Sequence, residues 1–161
     1  MKTRKLPGGE VLWAFVAIGL ISAATIILEL SLLRLFAVQQ FYHFAFMIVS
    51  IALLGFGASG TWLAIFPNTG KRNLYKTLSW LGLAVSLSMI GAYLLTNWLP
   101  FDSFSIAWER RQVWILVLHD LALSTPFFFS GMATGILLSS FVDYAGKTYA
   151  ANLIGSTKVV P

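Results

Sequence analysis

Long apolar runs separated by short polar connections dominate the chain. Val11 to Val38 opens with an uncharged run to Leu28 and continues, still apolar, past Glu29 and Arg34. Phe44 to Phe66 and Thr77 to Trp98 carry no charge, and Val113 to Phe141 holds His119, Asp120 and Pro126. A helix needs about 20 mainly apolar residues to cross the hydrocarbon layer, so each run predicts one transmembrane helix. The expected fold class is all-α: a polytopic membrane helix bundle with transmembrane helices at 11–38, 44–66, 77–98 and 113–141. Residues 1–10 then form the N-terminal segment, 67–76 a basic loop, 99–112 a loop on the opposite side, and 142–161 a tail or the start of a further helix. The first run is long, about 42 Å as a helix against about 30 Å of hydrocarbon, so it must tilt or project.

Composition supports the membrane reading. Of the 161 residues, 58% are hydrophobic and 11% charged, with a mean hydropathy of +0.80. An ordinary soluble domain has about 45–50% and about 25%. The excess of 11 Lys and Arg over 6 Asp and Glu reads as topology once the charges are located. Lys2, Arg4, Lys5, Lys71, Arg72, Lys76, Lys147 and Lys158 fall on one side of a four-span frame, against Arg110 and Arg111 on the other. The positive-inside rule places both termini in the cytoplasm, in a multi-pass protein of the cytoplasmic (inner) membrane. The lipid bilayer is thus the expected partner, and nucleic acid is not. A cleaved signal peptide competes for the first 25 residues, where Ser22-Ala23-Ala24 supplies small residues. The apolar run is longer than a signal core and passes the cleavage point, which favours an uncleaved first span.

Span two contains Gly55-Phe56-Gly57-Ala58-Ser59-Gly60, a literal match to the dinucleotide-binding pattern G-x-G-x-x-G. That pattern works only after a strand, where free backbone N–H groups open a helix; here it lies inside an apolar run. Close helix packing explains these glycines better. Ala52, Gly55 and Ser59 share one side of span two, and Ser50, Gly57 and Thr61 roughly the opposite side, which predicts neighbours on both. Asp120, Ser124, Gly131 and Gly135 form a similar stripe on span four. Gly55, Gly57, Gly60, Gly131 and Gly135 are the expected packing positions.

Ionisable groups inside a membrane are costly and mark function by default. Glu29, Arg34, His119 and Asp120 are the candidate intramembrane polar site. Glu29 shares a stripe with Ser22 and Thr25, while Arg34 lies about 140° away on the same helix. Arg34, His119 and Asp120 sit at similar depths below the outer face, so an Arg34–Asp120 pair with Glu29 near His119 is expected; the alternative has Arg34 snorkelling to the headgroups. A proton relay would need polar groups in the inner half of the spans, which is apolar or small. The chain has no Cys and two His, and no nucleophile elbow, phosphate loop or metal-ligand spacing is present. Neither catalytic residues nor a cofactor or metal site is expected.

Two stretches carry a resemblance. The first reads Glu29-Leu30-Ser31-Leu32-Leu33-Arg34-Leu35, then Phe44-Ala45-Phe46, Ser50-Ile51-Ala52-Leu53-Leu54-Gly55-Phe56-Gly57 and Gly60. The second reads Pro126-Phe127-Phe128-Phe129-Ser130-Gly131, Gly135, and Tyr149-Ala150-Ala151-Asn152-Leu153-Ile154-Gly155. Together they resemble the N-terminal membrane region of bacterial spermidine-synthase-like integral membrane proteins. The resemblance implies a membrane domain that normally precedes a cytoplasmic Rossmann-type domain of the aminopropyltransferase and methyltransferase kind. It also implies an acidic residue where Asn152 stands, and further spans beyond it. The catalytic domain is absent from these 161 residues, so no activity is carried over. A truncated or split membrane module is expected, anchoring or scaffolding a separately encoded soluble catalytic partner or self-associating, or binding a small hydrophobic or cationic molecule near Glu29. The alternative is a small oligomeric transporter or channel subunit using Glu29, Arg34, His119 and Asp120.

Overall fold

The computed structural model describes residues 8–39, 42–69, 73–98, 109–140 and 145–157. They form five helices: α1 (Gly8–Gln39), α2 (Tyr42–Ile65), α3 (Leu74–Trp98), α4 (Arg110–Ser140) and α5 (Ala145–Thr157). No strand occurs among the described residues. The first four are long and apolar enough to cross a membrane, which gives the all-α bundle and the architecture of a multi-pass membrane protein. Each begins two or three residues before its apolar run. Hydropathy marks the hydrocarbon layer, whereas backbone hydrogen bonding carries a helix on into the headgroup region. Lys2, Arg4, Lys5, Lys71, Arg72 and Lys158 lie outside the described residues, as does most of the 99–112 loop.

The outer surface suits lipid. Leu20, Leu53, Trp80, Leu87 and Trp98 are among the large apolar side chains left exposed, an arrangement that water would penalise and hydrocarbon does not. The core forms instead around α4, which packs against α1, α2, α3 and α5. One cluster joins Leu32 of α1, Ile48, Ile51 and Ala52 of α2, Ala92 of α3, and Leu123 and Phe127 of α4. A second joins Leu81 of α3 with Met132, Ala133 and Ile136 of α4, with Ile21 and Leu63 packed against them.

α2 and α4 run parallel in a steady register, Gly55 against Phe127, Ser59 against Gly131 and Leu63 against Gly135. A Cβ at Gly55 would lie 2.7 Å from both Phe127 Cβ and the Ser124 carbonyl oxygen. A side chain at Gly131 would strike Ser59 and the Phe56 ring, and one at Gly135 would meet a Leu63 methyl. Small residues here let two backbones touch, a means of association open to helices in lipid. The rings of Phe56 and Phe127, 6.0 Å apart and edge to face, continue the same contact. Gly57 and Gly60 correct the expectation of packing on both sides. A Cβ at either would meet nothing within 4 Å, because two residues turn a helix by about 200° and carry Gly57 to the far face.

Pro126 sits buried within α4. Its ring has no N–H for the Ala122 carbonyl one turn back, and the Thr125 hydroxyl donates to that carbonyl at 2.6 Å instead. Side-chain repair of this kind is how membrane helices tolerate proline. Thr125→Val is therefore expected to lower stability by about 0.5–1.5 kcal/mol, and Thr125→Ser to restore it. Denaturant titration in detergent micelles measures both, and an unaffected valine variant would show that the carbonyl needs no partner.

Candidate functional site: an intramembrane polar seam

The inward stripe of α1 holds Ser22 and Thr25, both buried, and Glu29, half-buried. Ser22 donates its hydroxyl proton to Asn152 Oδ1 of α5. Thr25 Oγ1 donates to the Ile21 carbonyl oxygen at 2.7 Å and also lies 2.7 Å from Ser130 Oγ of α4. A hydroxyl has one proton. Since the Ile21 carbonyl takes that of Thr25, Ser130 must be the donor across the α1–α4 contact. These bonds join three helices inside the bundle, where water does not compete.

The register follows from the same contacts. Leu32 shares a cluster with Leu123, Thr25 meets Ser130, and Ile21 packs beside Met132 and Ala133. α1 and α4 are thus antiparallel, and Glu29 lies between the levels of Leu123 and Ser130. Among the described residues, no hydrogen bond or ion pair to the Glu29 carboxylate is found.

The four ionisable candidates do not gather into one site. Arg34 is exposed; among the described residues the buried Asp120 Oδ1 has no hydrogen-bond partner, and no ion pair joins the two. The expected Arg34–Asp120 pair is corrected on this point. Depth alone suggested it, whereas azimuth decides. On α4, Asp120 lies with Ser124, Phe127 and Gly131, the face toward α2, about 80° from Ser130 on the α1 side. His119, on the Ser130 side of α4 by helix geometry, is buried at 4% exposure, with Nδ1 2.8 Å from the Ile115 carbonyl oxygen. A carbonyl only accepts, so Nδ1 carries the proton in this contact.

Asn152 and Ser130 are the polar residues that sequence reasoning left out of the site. Asn152 was visible only as a departure from an acidic residue in the resembled pattern. Ser130 stood inside a Pro-Phe-Phe-Phe-Ser-Gly run with no periodic signal of its own.

No family model, curated protein or solved structure matches the chain. Geometry and chemistry therefore carry the functional reading. Among the described residues no group of three His, Cys, Asp or Glu could hold a metal ion. The hydroxyl groups of Ser22, Thr25 and Ser130 are engaged in helix-to-helix bonds, which leaves Glu29 as the ionisable group on the seam's α1 stripe.

Proposed function

We propose that the chain is a membrane-embedded binding and scaffolding module, with no catalytic machinery of its own, that receives a small hydrophobic cation beside Glu29. The observation carrying this reading is the position of Glu29: on the inward stripe of α1, half-buried, with no partner for its carboxylate among the described residues. A carboxylate held in a low-dielectric environment attracts a cation strongly, and an apolar bilayer interior favours one that brings hydrocarbon with it. Transport finds less support. α4 from Ser130 to Ala133, and again at Ile136 and Leu137, is buried against its neighbours, which argues for a packed inner half.

Lys2, Arg4, Lys5, Lys71, Arg72 and Lys76, set against Arg110 and Arg111 on the other side, support a cytoplasmic-membrane location with the N-terminus in the cytoplasm. The resemblance to spermidine-synthase-like membrane regions supports a scaffold for a soluble catalytic partner. The test of the binding reading uses the full chain purified in nanodiscs and tetraphenylphosphonium as the probe. The parent is expected to gain thermal stability with rising probe concentration, as any ligand of the native state requires, and Glu29→Gln to lose most of that gain. Equal gains in both proteins, or none in either, would refute a cation site at Glu29.

A further inference from the structure

We infer that α5 lies inside the membrane beside α1, so that its outward face of Tyr149, Leu153 and Ile154 is a surface for lipid acyl chains. The inference rests on the reading that α1 to α4 span a bilayer, and three observations carry it.

The first is height. Asn152 bonds Ser22, and Ser22 stands seven residues, about 10 Å, inside the apolar window Phe15–Leu35 of α1. The second is direction. With Thr25 opposite Ser130, Ser140 at the end of α4 comes level with Phe15. Five residue steps lead from Ser140 to Ala145, a reach of at most about 18 Å. If α5 ran antiparallel to α1, Ala145 would stand near the level of Glu29, about 21 Å above Ser140, beyond that reach. α5 therefore runs parallel to α1, and by the same rise it extends from about the level of Phe15 to that of Ile27. The whole helix faces the apolar part of its neighbour.

The third is the distribution of polarity around α5. Asn152 and Ser156 are half-buried, whereas Tyr149, Leu153 and Ile154 are 57%, 43% and 55% exposed. A helix lying on a protein in water would show the reverse. The hydroxyls of Ser156 and Thr157 are also internally satisfied, on the Asn152 and Leu153 carbonyl oxygens at 3.0 and 2.9 Å. Neither hydroxyl needs water, and among the described side chains of α5 Asn152 hydrogen-bonds across to α1, which pins α5 in place.

The chain has no cysteine, so single-cysteine variants report one position each. Leu153→Cys and Ile154→Cys test α5, Asn68→Cys marks an exposed turn, and Leu87→Cys marks the lipid face of α3. Labelling by N-ethylmaleimide, which requires a thiolate in water, is followed in membranes carrying the full chain. Both α5 variants are expected to react at least about tenfold more slowly than Asn68→Cys, as Leu87→Cys does, and Asn152→Ala is expected to speed labelling of Ile154→Cys. Fast labelling of the α5 positions with Leu87→Cys still protected would overturn the inference. Fast labelling of Leu87→Cys as well would overturn the membrane reading beneath it. Unchanged protection in the Asn152→Ala background would refute the pinning role of Asn152.

Discussion

Gly55→Leu is expected to break the α2–α4 contact, while Gly57→Leu, two residues along, leaves the bundle intact. The difference lies in what the new side chain meets. At Gly55 even the first carbon would lie 2.7 Å from a backbone oxygen and 3.0 Å from the Phe128 nitrogen, and backbone atoms cannot move aside as a side-chain tip can. Overpacking in a core costs about 1–3 kcal/mol; with backbone as the obstacle the upper end applies. At Gly57 the space is open, and leucine is also the better helix former by up to about 1 kcal/mol. Unfolding in mixed micelles, followed by circular dichroism, gives both numbers. Equal losses at the two positions would mean that α2 has a neighbour on its far face in the folded protein.

Asp120→Leu is expected to stabilise the fold. Asp120 Oδ1 is buried without a hydrogen-bond partner among the described residues, and an unsatisfied buried acceptor costs about 1–3 kcal/mol. Leucine is similar in size, apolar and a strong helix former, so it removes the cost without opening a cavity. The same micelle titration reads the gain. A loss of stability would show that the carboxyl is engaged in the working protein. Residues kept against stability tend to serve function, so a gain in stability would mark Asp120 as the next position for ligand tests.

The four spans were legible because lipid imposes one simple demand, an apolar stretch of sufficient length. α5 was legible only as the start of a helix within a tail. At 13 residues it is too short to register as a span, and Asn152 and Ser156 are half-buried, where hydropathy cannot see what they meet. The stripe of Ser22, Thr25 and Glu29 was readable from spacing, since residues three and four apart share a helix face. Its partners were not, because a serine or asparagine shows no preference for one distant hydroxyl over another. The Arg34–Asp120 expectation failed although the sequence held the correction: Asp120 shares its stripe with Ser124 and Gly131, and glycine on that stripe already marked the face that another helix approaches.

The bond between Ser22 and Asn152 joins residues 130 positions apart, and this has a consequence for synthesis. At about 5–20 residues per second, α1 enters the membrane roughly ten seconds before the helix that completes its polar stripe exists. Through that interval Ser22 faces lipid or whatever the insertion machinery supplies, and α1 is held first by its contacts with α2 and then by those with α4, which brings Ser130 to Thr25. α5 is thus the helix that closes the first, and slowing translation before codon 145 would lengthen the period in which the nascent bundle is open to degradation.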